Sequence, residues 1–184
     1  MKTGIDKFKD VIDFETCDLL IEHMNLNLPN SMSRTHSKGK NVVCQEVMLE
    51  LHTELDNAVS RVVNKVVGLY IEKYPYVTVA GDSGYQLRKI TGNTKIHVDN
   101  LSKDFRNLSI ILGLNSDYEG GEFHFPYQDF STTVKRGEAI IFPVYFMYPH
   151  YVNAPIGNRY TINTWLLDGW CHNEFLSGYV RSSP

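Results

Sequence analysis

The sequence predicts an α+β chain in which helical segments lead into a β-sandwich or barrel. Two observations carry that prediction. In residues 10–26 and 44–73, apolar residues recur at three- and four-residue steps, the period of a helix face. After Pro75, short β-branched and aromatic runs alternate with glycine-rich turns, the pattern of many short strands. The chain has 184 residues, 42% hydrophobic and 21% charged, enough for one domain with one sizeable core.

Val11-Ile12-Asp13-Phe14 opens a helix over residues 10–26, in which Cys17, Leu19, Leu20, Ile21 and Met24 are expected to share an apolar face. Residues 27–43, with Pro29 and Gly39, read as a polar loop. Residues 44–73 read as one long helix or two short ones, because Val47, Leu51, Leu55, Val59, Val62, Val66 and Leu69 keep helical spacing. Leu51, Leu55 and Val59 are expected in the core. Strand-like runs follow at 76–80, 85–90, 96–98, 108–114, 122–125, 131–134, 139–142, 150–152 and 159–167. Gly81-Asp82-Ser83-Gly84, Gly92-Asn93, Gly120-Gly121 and Gly157-Asn158 are read as the turns between them. The expected organisation is a single domain: a helical support region at 1–74, a β-rich core at 75–168 and a C-terminal tail at 169–184.

A net charge of −3 gives no case for nucleic-acid or anionic-membrane binding. Cys17, Cys44 and Cys171 are odd in number and widely spaced, so inert thiols in a reducing compartment are expected rather than disulfides or a structural zinc. The first residues lack a long apolar run, and no stretch approaches the ~20 apolar residues of a membrane span. The expectation is a cytoplasmic protein, monomer or homodimer, with neither membrane nor nucleic acid as partner.

The chemistry concentrates in four residues. His97 and Asp99 are two apart, so on an extended segment both side chains point the same way. His150 supplies a second imidazole from a separate strand. Two imidazoles and a carboxylate can occupy one face of an octahedral metal and leave the opposite face open, an arrangement of non-haem Fe(II) oxygenases. Zinc also accepts two His and one Asp, with one position open for hydrolysis. Arg159 argues against zinc. Alternation along 159–165 puts Arg159, Thr161, Asn163 and Trp165 on one face. An inward guanidinium is costly unless an anion meets it, and a carboxylate accepting two parallel N–H bonds fits that need, with the Thr161 hydroxyl as a third donor. By the same alternation His124 faces away from Phe123, so His124 is read as a bystander.

HVDN at 97–100, LNSDYEGGEFHF at 114–125, KRGEAIIFP at 135–143 and HYVNAPIGNRYTINTW at 150–165 together resemble the 2-oxoglutarate- and Fe(II)-dependent dioxygenases, in their prolyl 4-hydroxylase-like branch. The resemblance implies a double-stranded β-helix, or jelly roll, braced by the N-terminal helices. It implies His97, Asp99 and His150 as iron ligands and Arg159 as the partner of the far carboxylate of 2-oxoglutarate. Thr161 and Phe123 border that co-substrate. Arg88, Trp165 and Tyr85 are candidate substrate contacts. The cofactors implied are Fe(II), 2-oxoglutarate and O2, with ascorbate as an accessory reductant. The activity implied is hydroxylation of a peptidyl proline, with decarboxylation of 2-oxoglutarate to succinate and CO2. The alternatives are the same chemistry on a non-prolyl residue or small molecule, and a catalytically inactive cupin-like metal-binding module. Two departures stand out. The tyrosine that the family often carries before His-x-Asp falls at Ile90, and a second, on the next strand, falls at Gly113 or Leu112.

Overall fold

The computed structural model describes residues 3–35, 42–100 and 105–168. Its two helices are α1 (Phe14–Asn27) and α2 (Glu54–Lys73). The first strands in chain order are β1 (Asp6–Phe8), β2 (Met32–Thr35), β3 (Val42–Met48), β4 (Gly81–Asp82), β5 (Gln86–Ile90) and β6 (Arg106–Gly113). There follow β7 (Glu119–Gly120), β8 (Phe123–Phe125), β9 (Phe130–Thr132), β10 (Ala139–Pro143), β11 (Tyr151–Val152), β12 (Pro155–Ile156) and β13 (Arg159–Leu167).

The large sheet runs β1-β10-β6-β13-β5-β3-β2, with β4 on the end of β13. A smaller layer is made by β11-β8-β9 and the pair β12-β7. All of these pairings are antiparallel. Two antiparallel sheets with helices on one outer face make the expected α+β jelly roll.

Each helix starts at a side-chain cap. Asp13 accepts from the Thr16 amide at 2.7 Å, and Thr53 accepts from the Asp56 amide at 3.3 Å. From α1, Cys17, Leu20 and Met24 are buried; from α2, Val59, Val63, Val66 and Tyr70 are. These faces pack on one side of the large sheet against Leu87, Leu108, Ile110, Leu112, Ile141 and Ile162. Fully burying an aliphatic side chain contributes about 1.5–3 kcal/mol, so this layer holds the sheet flat against the helices. A second apolar cluster lies between the sheets, where Ile111, Ile140 and Phe142 meet Phe123, Phe125 and Val152.

Several expectations are corrected. Residues 44–73 are not continuously helical: Val42–Met48 forms β3, and the helix begins at Glu54 behind the Thr53 cap. Val47 lies on a strand, and Leu51 is half exposed in the turn, while Val59 is fully buried and Leu55 packs at the core margin. The support region is therefore not helical alone, since it also supplies β1, β2 and β3 to the large sheet. Part of the polar loop is the strand β2, paired with β3. Residues 76–80 form no strand, whereas Gly81-Asp82, read as a turn, pairs with the end of β13. The tail expected at 169–184 lies outside the described residues.

Register places the chemistry. Residues opposite one another in an antiparallel pair share a face. Thr161 is opposite Arg88, and Arg88 is opposite Glu46. Trp165 is opposite Ser109, and Ser109 is opposite Phe142. Arg159 is opposite Ile90, which is opposite Cys44. All of these lie on the face turned from the helices toward the small sheet.

Candidate metal and co-substrate site

His97 and His150 form an isolated antiparallel bridge. The His97 amide donates to the His150 carbonyl at 3.0 Å, and the His150 amide donates back at 2.8 Å. Their rings therefore sit side by side, with centroids 4.5 Å apart. Asp99, two residues on, brings its carboxylate to the same point: Oδ1 is 3.3 Å from His97 Nε2, and Oδ2 is 3.9 Å from His150 Nε2. One ligand atom from each of the three residues lies within 4.8 Å of the others, the spacing of a metal-binding group.

The groups behind the triad fix its orientation. His97 Nδ1 is 2.7 Å from the Lys95 carbonyl, and His150 Nδ1 is 3.2 Å from the Tyr148 carbonyl. A carbonyl only accepts, so in both rings Nδ1 carries a hydrogen and Nε2 faces the centre, where its lone pair is the metal ligand once Nε2 is unprotonated. The Ser109 hydroxyl donates to Asp99 Oδ2 at 2.6 Å. Phe125 and Phe142 wall His150, with centroids at 5.4 and 4.9 Å.

Protonation preferences follow from these neighbours. Burial favours the protonated Asp99, but hydrogen bonds from His97 and Ser109 and the His150 charge outweigh it, so its pKa lies below the usual range. The His97 imidazole is raised by its hydrogen bond with Asp99. The His150 imidazole is lowered by burial. The donor set of two neutral imidazoles and one carboxylate, with no fourth protein ligand among the described residues, fits Fe(II) with open positions.

Among the described residues Arg159 is the largest fully buried side chain, 1% exposed. Its Nε and Nη2 have no hydrogen-bond partner. Its Cζ lies 4.9 Å from the centroid of the buried Phe123 ring. Burial pushes the guanidinium pKa down, and the Tyr118 hydroxyl, which accepts a hydrogen bond from it, pulls the other way. A buried cation with open, parallel donors is suited to a carboxylate from outside the chain.

The other expected site residues fall unevenly. Trp165 is inward, with the Arg106 and Arg88 guanidinium carbons 3.8 and 5.6 Å from its ring centroid. Thr161 shares the face of Arg159, but its hydroxyl donates to Asn163 Oδ1 at 2.7 Å rather than toward a pocket anion. Tyr85 is corrected: it is fully buried in the helix-side core and its hydroxyl donates to Asp82, so it cannot touch substrate. Its ring lies one position outside β5, where alternation sends it away from Arg88. His124 stacks on Tyr151 and binds Ser131 and Asn153, apart from the triad. Ser109 and Tyr118 were missed. A serine interrupting the apolar run Leu108–Leu114 is the signal that could have found the first.

With that geometry in place, similarity to known proteins assigns the class. Residues 85–167 match the family model of the 2OG-Fe(II) oxygenase superfamily. Fe(II) and 2-oxoglutarate are accordingly its cofactors. The fold is shared with a viral collagen prolyl hydroxylase from Paramecium Bursaria Chlorella virus-1, in its 2OG complex: TM-score 0.70 and 17% identity, over 89% of this chain and 96% of that one. A Trichoplax adhaerens prolyl hydroxylase, in complex with a hypoxia inducible factor peptide fragment, gives a TM-score of 0.68 at 16% identity, over 91% and 84%. A Pseudomonas putida prolyl-4-hydroxylase gives 0.70 at 14% identity, over 90% and 92%. Among curated protein sequences, none matches this chain.

Proposed function

We propose that this chain hydroxylates a C–H bond of a peptidyl proline, with His97, Asp99 and His150 holding Fe(II) and Arg159 holding the far carboxylate of 2-oxoglutarate. The observation that carries the reading is the pairing of the triad with a buried guanidinium that no carboxylate of the described chain neutralises. Bound Fe(II) and 2-oxoglutarate supply O2 activation, coupled to decarboxylation of 2-oxoglutarate to succinate and CO2.

The chain's residues supply position and exclusion of water. The Lys95 and Tyr148 carbonyls hold both imidazoles with Nε2 inward, and Ser109 holds the Asp99 carboxylate. Phe123, Phe125 and Phe142 keep the interior dry. Trp165 and Arg88 wall the side on which substrate enters. A peptide substrate is supported by the apolar rim just before His150, where Phe146 is 77% and Met147 48% exposed. That rim adjoins the metal segment, since the Asn100 amide donates to the Val144 carbonyl at 3.2 Å. Proline as the target rests on the printed names of the structural relatives. Free, buried thiols at Cys17 and Cys44, the latter pushed up to about 11 by burial, support a reducing, cytoplasmic setting. No helix among the described residues is long and apolar enough to cross a membrane.

The test is incubation with Fe(II), 2-oxoglutarate, O2 and ascorbate over a panel of proline-containing peptides. Succinate release and a one-oxygen gain located on proline by mass spectrometry are expected. Succinate release with no oxidised peptide would move the target to another residue or a small molecule. A protein that binds iron and releases no succinate with any substrate would favour the inactive metal-binding module.

A further inference from the structure

Arg159 offers one edge of its guanidinium to the interior, and Tyr118 occupies the rest. Tyr118 lies in the loop between β6 and β7 and is only 6% exposed. Its hydroxyl donates to the Val134 carbonyl at 2.9 Å. Lys135 Nζ sits 3.8 Å above its ring and donates to its carbonyl at 3.1 Å. The ring is thus clamped by the connection between β9 and β10. With its one hydrogen directed to Val134, the hydroxyl is left to accept, and it faces the Arg159 side chain that packs beside it at Gly121. The two guanidinium nitrogens without a partner are Nε and Nη2, a parallel two-donor edge that matches a carboxylate.

Two glycines make this arrangement sterically specific. Gly121, at φ +70°, separates the two side chains: a Cβ there would come within 3.2 Å of both Arg159 Cδ and Tyr118 Cε2. At Gly113 a Cβ would come within 2.3 Å of the Lys135 carbonyl oxygen. No side chain can therefore enter the pocket from that point on β6.

We propose that Tyr118 is the positioning residue for Arg159, holding one guanidinium nitrogen so that the Nε–Nη2 edge selects a co-substrate with a far carboxylate. The proposal rests on the reading of Arg159 as the carboxylate anchor, so the test contains an arm for each.

Fe(II)-loaded wild type, Tyr118→Phe, Gly121→Ala and Arg159→Met are titrated anaerobically with 2-oxoglutarate and with its monocarboxylate analogue 2-oxovalerate. The visible charge-transfer band of the bound keto acid is the readout. Losing a hydrogen bond that aims a charged donor should weaken 2-oxoglutarate by about tenfold in Tyr118→Phe. The 2-oxovalerate affinity and the Fe(II) affinity should stay at the wild-type values. Gly121→Ala, which drives a methyl between the two side chains, should show the same selective loss. Equal weakening of both keto acids in these variants, or no weakening of 2-oxoglutarate, overturns the proposal. An Arg159→Met protein that still prefers 2-oxoglutarate over 2-oxovalerate overturns the anchor reading itself.

Discussion

Arg88 and Arg159 lie on the neighbouring strands β5 and β13, on the same face of the same sheet, yet the chain treats them oppositely. Glu46, on the next strand, meets Arg88: its Oε2 is 3.3 Å from Arg88 Nε, and Gln86 accepts from Nη2. Glu46 is 2% exposed and also takes two bonds from Arg34, at 2.7 and 2.6 Å. Arg159 is more deeply buried and has a phenol, two open nitrogens and, among the described residues, no carboxylate. A buried ion left without a counter-ion costs several kcal/mol. Where a cation serves the sheet, this chain neutralises it from the adjacent strand. Where it serves a ligand, the neutralising anion is left to the ligand.

The comparison breaks or holds on a pair of substitutions. Arg159→Met removes an uncompensated charge and keeps most of the volume, so the apo protein should melt no lower than wild type. Its 2-oxoglutarate affinity should fall about a hundredfold or more, as when one partner of a buried charge pair is truncated. Glu46→Gln should do the reverse. It leaves Arg88 and Arg34 without their anion, and because Arg34 is more than half exposed and can rehydrate, the loss should be about 2 kcal/mol. Per folded molecule, its 2-oxoglutarate affinity should stay near wild type. Denaturant titration and keto-acid titration measure the two effects separately. An Arg159→Met protein that is less stable while still binding 2-oxoglutarate would make Arg159 a structural cation like Arg88.

A smaller effect separates metal positioning from charge. Ser109 touches Asp99 and neither arginine, so Ser109→Ala should weaken Fe(II) by about tenfold, the low end for losing a partner behind a metal ligand. It should leave the 2-oxoglutarate preference over 2-oxovalerate intact, and Ser109→Thr should recover much of the metal affinity. Iron affinity unchanged in Ser109→Ala would mean that the strand itself, rather than the hydroxyl, fixes Asp99.

Much of this site was legible in the sequence, because its residues sit on elements whose period is strong. His97 and Asp99 are two apart on an extended segment, and Arg159 opens the long strand β13, so alternation alone brings them inward. The pairing of His97 with His150 was not legible, since a single bridge leaves no pattern in composition. Nor was Tyr118, which reaches Arg159 from an irregular loop where no periodicity aims a side chain. The helix-for-strand error at β3 has a plain cause. Val47 and Leu51 happen to fall four apart, and they extended the true pattern of α2 backward past its Thr53 cap. Tyr85 sits one residue before β5, and alternation puts it on the helix side, opposite to Arg88.

The smallest effect is a pH dependence that should leave the two arginines alone. The contrast between Arg159→Met and Glu46→Gln should be flat from pH 6 to 8. The triad behaves otherwise. His97 has a raised pKa in the folded apo protein, chiefly through Asp99. The stability it contributes is therefore fully present below its unfolded value of about 6.5 and is lost as pH rises through the raised value. Metal binding has the opposite sign, because Fe(II) needs neutral imidazole and must displace that proton. The apo melting temperature should drift down across this window while Fe(II) affinity rises, so the gap between holo and apo melting temperatures widens with pH. Anaerobic thermal melts at pH 6, 7 and 8 measure it. A gap that stays constant would mean that His97 is already neutral at pH 6 and that its bond with Asp99 does not hold a proton in the empty site.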